Sequence, residues 1–320
     1  MTGDERAARL LEGFAPVPLR GPNAMTHRQA VLAMLAVTLM WSIAGVVTRQ
    51  LDAARSFEVT FWRSLFNAIA LALMLLWLRG PWMLAWSLKS GGRTVWLSGL
   101  CWSVMFTAFM VAITLTTVAN VLVTMAIAPL VTALIARAAL KHRLPPRTWT
   151  AIVVAGIGIA WMYGSEVRGA EPRHLLGTLV ALGVPIAAAV NWTVIQATTR
   201  HGAGAAPDML PAVLIGALIS AVLTLPLSLP FTVSAHDLGL LALLGVVQLA
   251  IPCLIAVLCA RVLAAPEIAL LALLEVVFGV AWAWLGAGES PTPAVLGGGA
   301  LVLVALAANE ALALRTGARQ

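Results

Sequence analysis

Ten stretches of this 320-residue chain are apolar for long enough to cross a bilayer. About 30 Å of hydrocarbon, at a helical rise of about 1.5 Å per residue, calls for roughly 20 residues per crossing. The runs between charged or Pro/Gly-rich breaks cover residues 30–48, 57–78, 94–114, 118–140, 147–164, 176–199, 209–229, 238–260, 267–286 and 293–312. Only three residues, 115–117, join the third run to the fourth, so these two form a hairpin. Charged residues make up 10% of the chain, whereas a soluble domain carries about a quarter. No soluble core hides that much Leu, Ala and Val, so the expected fold class is an all-α polytopic membrane protein with ten transmembrane helices.

The basic residues test the span count independently. With a cytoplasmic N-terminus the inner segments hold 15 of them: Arg6, Arg9, Arg20, Arg28, Arg79, Lys89, Arg93, Arg137, Lys141, Arg143, Arg147, Arg200, Arg261, Arg315 and Arg319. The outer loops hold four, Arg49, Arg55, Arg168 and Arg173, and Arg63 is left inside a span. A wrong count would scramble this alternation, so the asymmetry predicts both termini in the cytoplasm of a bacterial inner membrane. It also accounts for the net charge of +7, and no basic patch with interleaved aromatics points to nucleic acid. Residues 1–29 and 313–320 read as cytoplasmic tails, and Met25 is a candidate start, because the organised sequence begins just after it. Cys101, Cys253 and Cys259 all fall in apolar runs without metal-ligand spacing, and read as buried thiols.

The two halves of the chain resemble each other weakly. At an offset of 151 residues, Trp41, Thr48 and Arg49 fall on Trp192, Thr199 and Arg200; at 147, Ile127–Ala128–Pro129–Leu130 falls on Leu274–Glu275–Val276–Val277. Each half, residues 30–164 and 176–312, holds five spans. An odd number forces the halves to enter the membrane from opposite sides, which is an inverted repeat of the kind found in secondary transporters.

Leu39–Met40–Trp41–Ser42, Phe61–Trp62–Arg63–Ser64–Leu65, Ala128–Pro129–Leu130–Val131–Thr132–Ala133–Leu134, Leu273–Leu274–Glu275–Val276–Val277–Phe278 and Gly288–Glu289 occur in this order across the spans. Over residues 30–312 the sequence thereby resembles EamA-type members of the drug/metabolite transporter superfamily. Val276 stands where that family usually has proline, and Lys141–His142 where it usually has Gly-Glu. The resemblance implies a basket of ten helices in two inverted repeats that moves a small organic solute by alternating access without ATP. Amino acids, nucleotide sugars, phosphorylated metabolites and drugs are all carried within the family.

Glu275 is the most informative residue, since an acidic side chain near mid-span costs roughly 3 kcal/mol and must face protein or a wet cavity. It reads either as a proton-coupling or substrate-amine group, or as an interhelical hydrogen-bonding group. Arg63 lies about six residues, or 9 Å, into the second span, from where a snorkelling guanidinium reaches the headgroups. Thr116, Asn120, Thr124 and Ala128 form a polar or small stripe on the fourth span, suited to helix packing or to a cavity wall. Asn191, Trp192 and Gln196 accompany Pro185, and Gln248 precedes Pro252, so freed carbonyls join polar side chains there. Trp41, Trp102, Trp192 and Trp282 lie deep in their spans, whereas Trp77, Trp82 and Trp86 fit an interfacial belt.

These residues predict a substrate site made of Trp41, Arg63, Asn120, Thr124, Asn191, Trp192, Gln196, Gln248, Glu275 and Trp282. The expected partners are a small-molecule substrate, the lipid bilayer and protons as a coupling ion. No cofactor, metal set or nucleophile–base pair is legible within the spans. A secondary transporter, with export as the favoured direction, is the leading reading. A membrane-embedded enzyme and a non-transporting scaffold are its rivals.

Overall fold

A computed structural model describes residues 25–48, 50–53, 56–116, 121, 124–140, 145–163, 172–200, 207–287 and 293–317, and every regular element among them is helical. The chain order is α1 (His27–Ser42), α2 (Ala44–Thr48), α3 (Ser56–Ser90), α4 (Gly92–Leu115), α5 (Ala128–Leu140), α6 (Pro146–Tyr163), α7 (Pro172–Arg200) and α8 (Leu210–Ser228). There follow α9 (Ala235–Leu243), a π-helical segment (Leu244–Ala250), α10 (Ile251–Cys259), α11 (Ala265–Ala272), α12 (Leu274–Ala287) and α13 (Pro293–Gly317). Among the described residues six stretches are long and apolar enough to cross a membrane: His27–Thr48, Phe57–Trp82, Gly92–Ile113, Leu176–Thr198, Leu210–Ser228 and Ala235–Cys259. Large apolar side chains such as Leu73, Leu179 and Val222 stand exposed on their outer faces, as a hydrocarbon solvent requires.

Local chemistry sets the element ends. Thr26 caps α1 with a reciprocal pair of bonds, Gln29 N to Thr26 Oγ1 at 3.3 Å and Thr26 N to Gln29 Oε1 at 2.8 Å. Gly80 breaks α3 with φ 74°, a left-handed conformation that favours glycine, and Pro81 follows it. The predicted second span, ending at 78, therefore stops at a real discontinuity, although helix resumes to Ser90. The final helix runs to Gly317, past the predicted end at 312. Ahead of Pro252, the chain widens to π geometry, with Ile251 N–H reaching back five residues to the Val246 carbonyl. Among the described residues three runs are interrupted, at Ile43 between α1 and α2, at residues 126–127 ahead of α5 and at Leu273 between α11 and α12.

Close backbone approach and small polar groups join the helices. A Cβ on Gly216 of α8 would lie 2.4 Å from Trp102 Cβ and 2.8 Å from the Gly99 carbonyl of α4, so only glycine allows this crossing. Nearby, Ser220 Oγ lies 2.9 Å from both Ser64 Oγ and Thr107 Oγ1, tying α8 to α3 and α4. At one end of α3, Glu58 accepts from Thr232 N (2.7 Å), Val233 N (2.8 Å) and Thr232 Oγ1 (2.8 Å). Asp237 returns the arrangement by accepting from Asp52 N (2.9 Å) and Ala53 N (3.0 Å). At the other end, about 30 Å away at the helical rise, Asp208 bridges Arg79 Nε (3.2 Å) and Arg261 Nη2 (3.0 Å).

The glycine crossing makes a differential prediction. Gly216→Ala should destabilise the fold by about 1–3 kcal/mol through overpacking. Gly239→Ala, where an added Cβ meets nothing within 4 Å, should be neutral or stabilising. Thermal unfolding in detergent micelles measures both.

Candidate functional site

Three of the departures from regular helix converge on one place. Met125 and Ala128 flank the interruption ahead of α5, Leu273, Glu275 and Val276 sit at the one between α11 and α12, and Gln248 belongs to the π segment; all line a cavity of about 130 Å³. Its remaining walls come from Trp41 of α1, Arg63 of α3, four residues of α4, Pro185 and Trp192 of α7, and Cys253 of α10. Non-helical backbone at membrane depth survives where it faces protein or a cavity, and here it does.

Arg63 overturns its sequence-based expectation. Rather than snorkelling outward, it is 1% exposed, and its Nη2 donates to the Phe106 carbonyl at 3.0 Å. The side chain crosses to α4 because its face of α3 turns inward, toward the cavity. Its Nε has no hydrogen-bond partner. Glu275 lies in the first turn of α12, where the unpaired N–H groups of a helix start favour negative charge. Among the described residues nothing donates a hydrogen bond to it, and the nearest strong field is that of Arg63 across the cavity. The two charges interact without an ion pair inside 4 Å.

Aromatic rings form much of the rest. Trp102 packs edge-on to Trp192 with centroids 5.5 Å apart at 89°, and tilts against Phe106 at 5.5 Å. The Trp102 indole N–H has no partner. Gln248 donates through Nε2 to the Trp41 carbonyl at 3.2 Å and leaves its Oε1 unmatched.

Of the ten residues expected at the site, Trp41, Arg63, Trp192, Gln248 and Glu275 line this cavity. Four are placed elsewhere. Asn191 accepts from Ser98 Oγ at 2.6 Å, in a buried contact between α7 and α4. Gln196 accepts from Ala265 N at 3.2 Å and so caps the start of α11. Trp282 donates to Ser42 Oγ at 3.0 Å, joining α12 to α1. Thr124 is buried but lies off the lining. Asn120 lies outside the described residues.

Phe106, Phe109, Met105, Met125 and Cys253 were missed. Apolar residues in an apolar span carry no signal of their own. Cys253 did carry one: it stands five residues after Gln248, on the far side of an ideal helical wheel but brought round by the intervening π turn. Outside the spans, burial pushes the Arg261 guanidinium down from its ordinary range while neighbouring Asp208 pulls it back up.

A solved crystal structure, 18% identical in sequence, superposes with a TM-score of 0.72, covering 90% of this chain and 99% of its own; that likeness is one of fold. No curated protein matches the chain. The model of the EamA-like transporter family matches residues 28–164, the half that supplies Trp41, Arg63 and Trp102 to the cavity. That match makes residues 28–164 similar to the EamA-like transporter family.

Proposed function

We propose that the chain is a secondary transporter of ten spans, in which two inverted five-helix halves, residues 30–164 and 176–312, exchange access to the central cavity and export a small organic solute from a bacterial cytoplasm. The observation that carries this reading is the cavity itself: opposite charges, Arg63 and Glu275, one from each half, face each other inside an apolar bundle. Intramembrane charges of this kind ordinarily mark a solute or ion pathway.

The packing supports the repeat. If each span of the first half is exchanged for its counterpart in the second, the most extensive neighbour relations reproduce themselves. The α4–α7 contact becomes that of α10 with α1, α4–α8 becomes that of the π segment with α3, and α5–α7 becomes that of α11 and α12 with α1. The α3–α8, α5–α11 and α6–α13 contacts map onto themselves. The interruptions correspond in part as well: residue 126 of the pair 126–127 falls on Leu273 at the same offset of 147 that aligns the sequences. Broken helices in equivalent positions of two halves are a pointer to a transporter's binding site.

Alternating access also needs closures that open. Asp208 holds Arg79 of α3 and Arg261 of the 260–264 loop on the face that the charge asymmetry assigns to the cytoplasm. The side chains are partly exposed, so each pair contributes little, as a gate requires. Asp208→Asn should favour the state open to the cytoplasm by about two- to fivefold. Labelling of Cys253 by a membrane-impermeant thiol reagent in inside-out vesicles measures that shift; an unchanged rate removes Asp208 from gating.

Protons are proposed as the coupling ion, with Glu275 as the carboxyl that takes them up. In proteoliposomes, Glu275→Gln should abolish accumulation driven by a pH gradient while retaining exchange at raised substrate concentration. A Glu275→Gln protein that still concentrates substrate rules Glu275 out as the coupling group. A wild-type protein that moves none of a broad panel of metabolites, amines and drugs rules out the transport reading.

A further inference from the structure

Two segments that the proposed repeat places in different halves meet at the end of α3 opposite Asp208. One is the stretch 50–53 between α2 and α3; the other is the first turn of α9. Asp237 ties them. It is fully buried and accepts from Asp52 N (2.9 Å) and Ala53 N (3.0 Å), while its own N–H donates to Ser234 Oγ at 3.0 Å. Those bonds hold the Asp52 backbone against the Asp237 carboxylate, and so bring a second carboxylate beside the first.

His236 completes the group. Its Nδ1 lies 3.4 Å from Asp52 Oδ2 and 3.8 Å from Asp237 Oδ1. Both separations exceed a good N–H···O hydrogen bond. They resemble instead the spacing of two donors on one cation: bonds of about 2.0–2.2 Å at tetrahedral angles put neighbouring ligand atoms about 3.3–3.6 Å apart. One donor atom from each of the three residues lies within 4.8 Å of the others, and 4.8 Å over the square root of three leaves a point within about 2.8 Å of all three. Asp52 and His236 are exposed, so rotation of their side chains closes the remaining distance to a metal bond.

The donor set names the class of ion. An imidazole nitrogen with two carboxylate oxygens suits a zinc-like dication, whereas magnesium and calcium call for six or more oxygens. Three protein ligands leave the fourth tetrahedral position to water. The start of α9 opposes a cation with about half a positive charge, against two full negative charges on the carboxylates. The N–H bonds to Asp237 orient it as outer-shell partners orient a metal ligand, and a carboxylate has about four acceptor positions, more than these two bonds use.

We propose that Asp52, His236 and Asp237 bind one zinc-like divalent cation, and that the bound ion clamps the 50–53 stretch to α9. The site stands on its own geometry; the effect of the clamp rests on the transport reading above. The ion bridges the two halves on the face that the charge asymmetry assigns to the outside. Binding the closed arrangement, it holds that face shut and slows outward opening of the cavity.

The full-length protein in nanodiscs, stripped with a chelator and titrated with Zn²⁺, tests the site. The wild type should take up one ion whose affinity Asp52→Asn and His236→Gln each weaken by about tenfold or more. Both side chains are exposed, so neither variant puts the fold at risk. His27→Gln is the control and should bind as the wild type does: His27 is an equally accessible histidine, but pairs with the single carboxylate of Glu267 at 2.8 Å. Absence of saturable binding to the wild type, or equal affinity in the wild type and both variants, overturns the site. The clamp is read in right-side-out vesicles, where a membrane-impermeant thiol reagent reaches Cys253 only when the cavity opens outward. Zn²⁺ should slow that labelling severalfold in the wild type and leave His236→Gln unaffected. Labelling that Zn²⁺ does not slow, with binding intact, overturns the clamp. Should the reagent never reach Cys253 from outside, with or without Zn²⁺, the metal site stands and alternating access in the reading beneath it falls.

Discussion

In hydrocarbon a backbone N–H or C=O has no water to turn to, and the architecture depends on how each one is satisfied. Long helices meet the requirement along most of the chain. It is relaxed at residues 126–127, at Leu273 and over the π segment, and all three border the cavity. Interruption there has two effects: it frees backbone polarity where there is room for a solute, and it places the start of α12 beneath Glu275. A carboxylate near mid-span is tolerable because a helix begins under it and an arginine faces it.

In the repeat proposed above, the two halves differ in chemistry at aligned positions. Ala128–Pro129 begins α5 in one, Glu275–Val276 lies in the first turn of α12 in the other, and each follows a break. Proline explains the first interruption, since its ring cannot continue the ladder from the preceding turn. The second has no proline at the aligned position, so the break at Leu273 persists while a charge takes the proline's place. The cation comes from elsewhere, one half carrying Arg63 without an acidic counterpart at its own break. On that proposal, polarity across the cavity arises at positions where the two halves differ.

Much of the scaffold was legible in the sequence because apolar run length and loop charge are one-dimensional signals. The capped start near Thr26 and the stop near Gly80 are local chemistry, and they coincide with the run boundaries. The site was half legible. Trp41, Arg63, Trp192, Gln248 and Glu275 stand out because polar or bulky groups are conspicuous in an apolar span, and they do line the cavity. Asn191, Gln196 and Trp282 are equally conspicuous but spend their polar atoms on Ser98, the Ala265 N–H and Ser42. Nothing in a single sequence separates a polar group that joins helices from one that faces a ligand, because the difference lies in which neighbour the fold supplies. Depth misled in the same way for Arg63: distance along the helix was right, but the face was not.

The crossing of α4 and α8 at Gly99 and Gly216 lies away from the cavity, yet it bears directly on Trp102, whose Cβ occupies the space a side chain at 216 would take. The spacing between two backbones therefore sets how far an indole stands into the solute chamber. The size of the cavity thus has a dial outside its walls: a methyl group added or removed on that seam resizes the opening while every residue lining it stays the same.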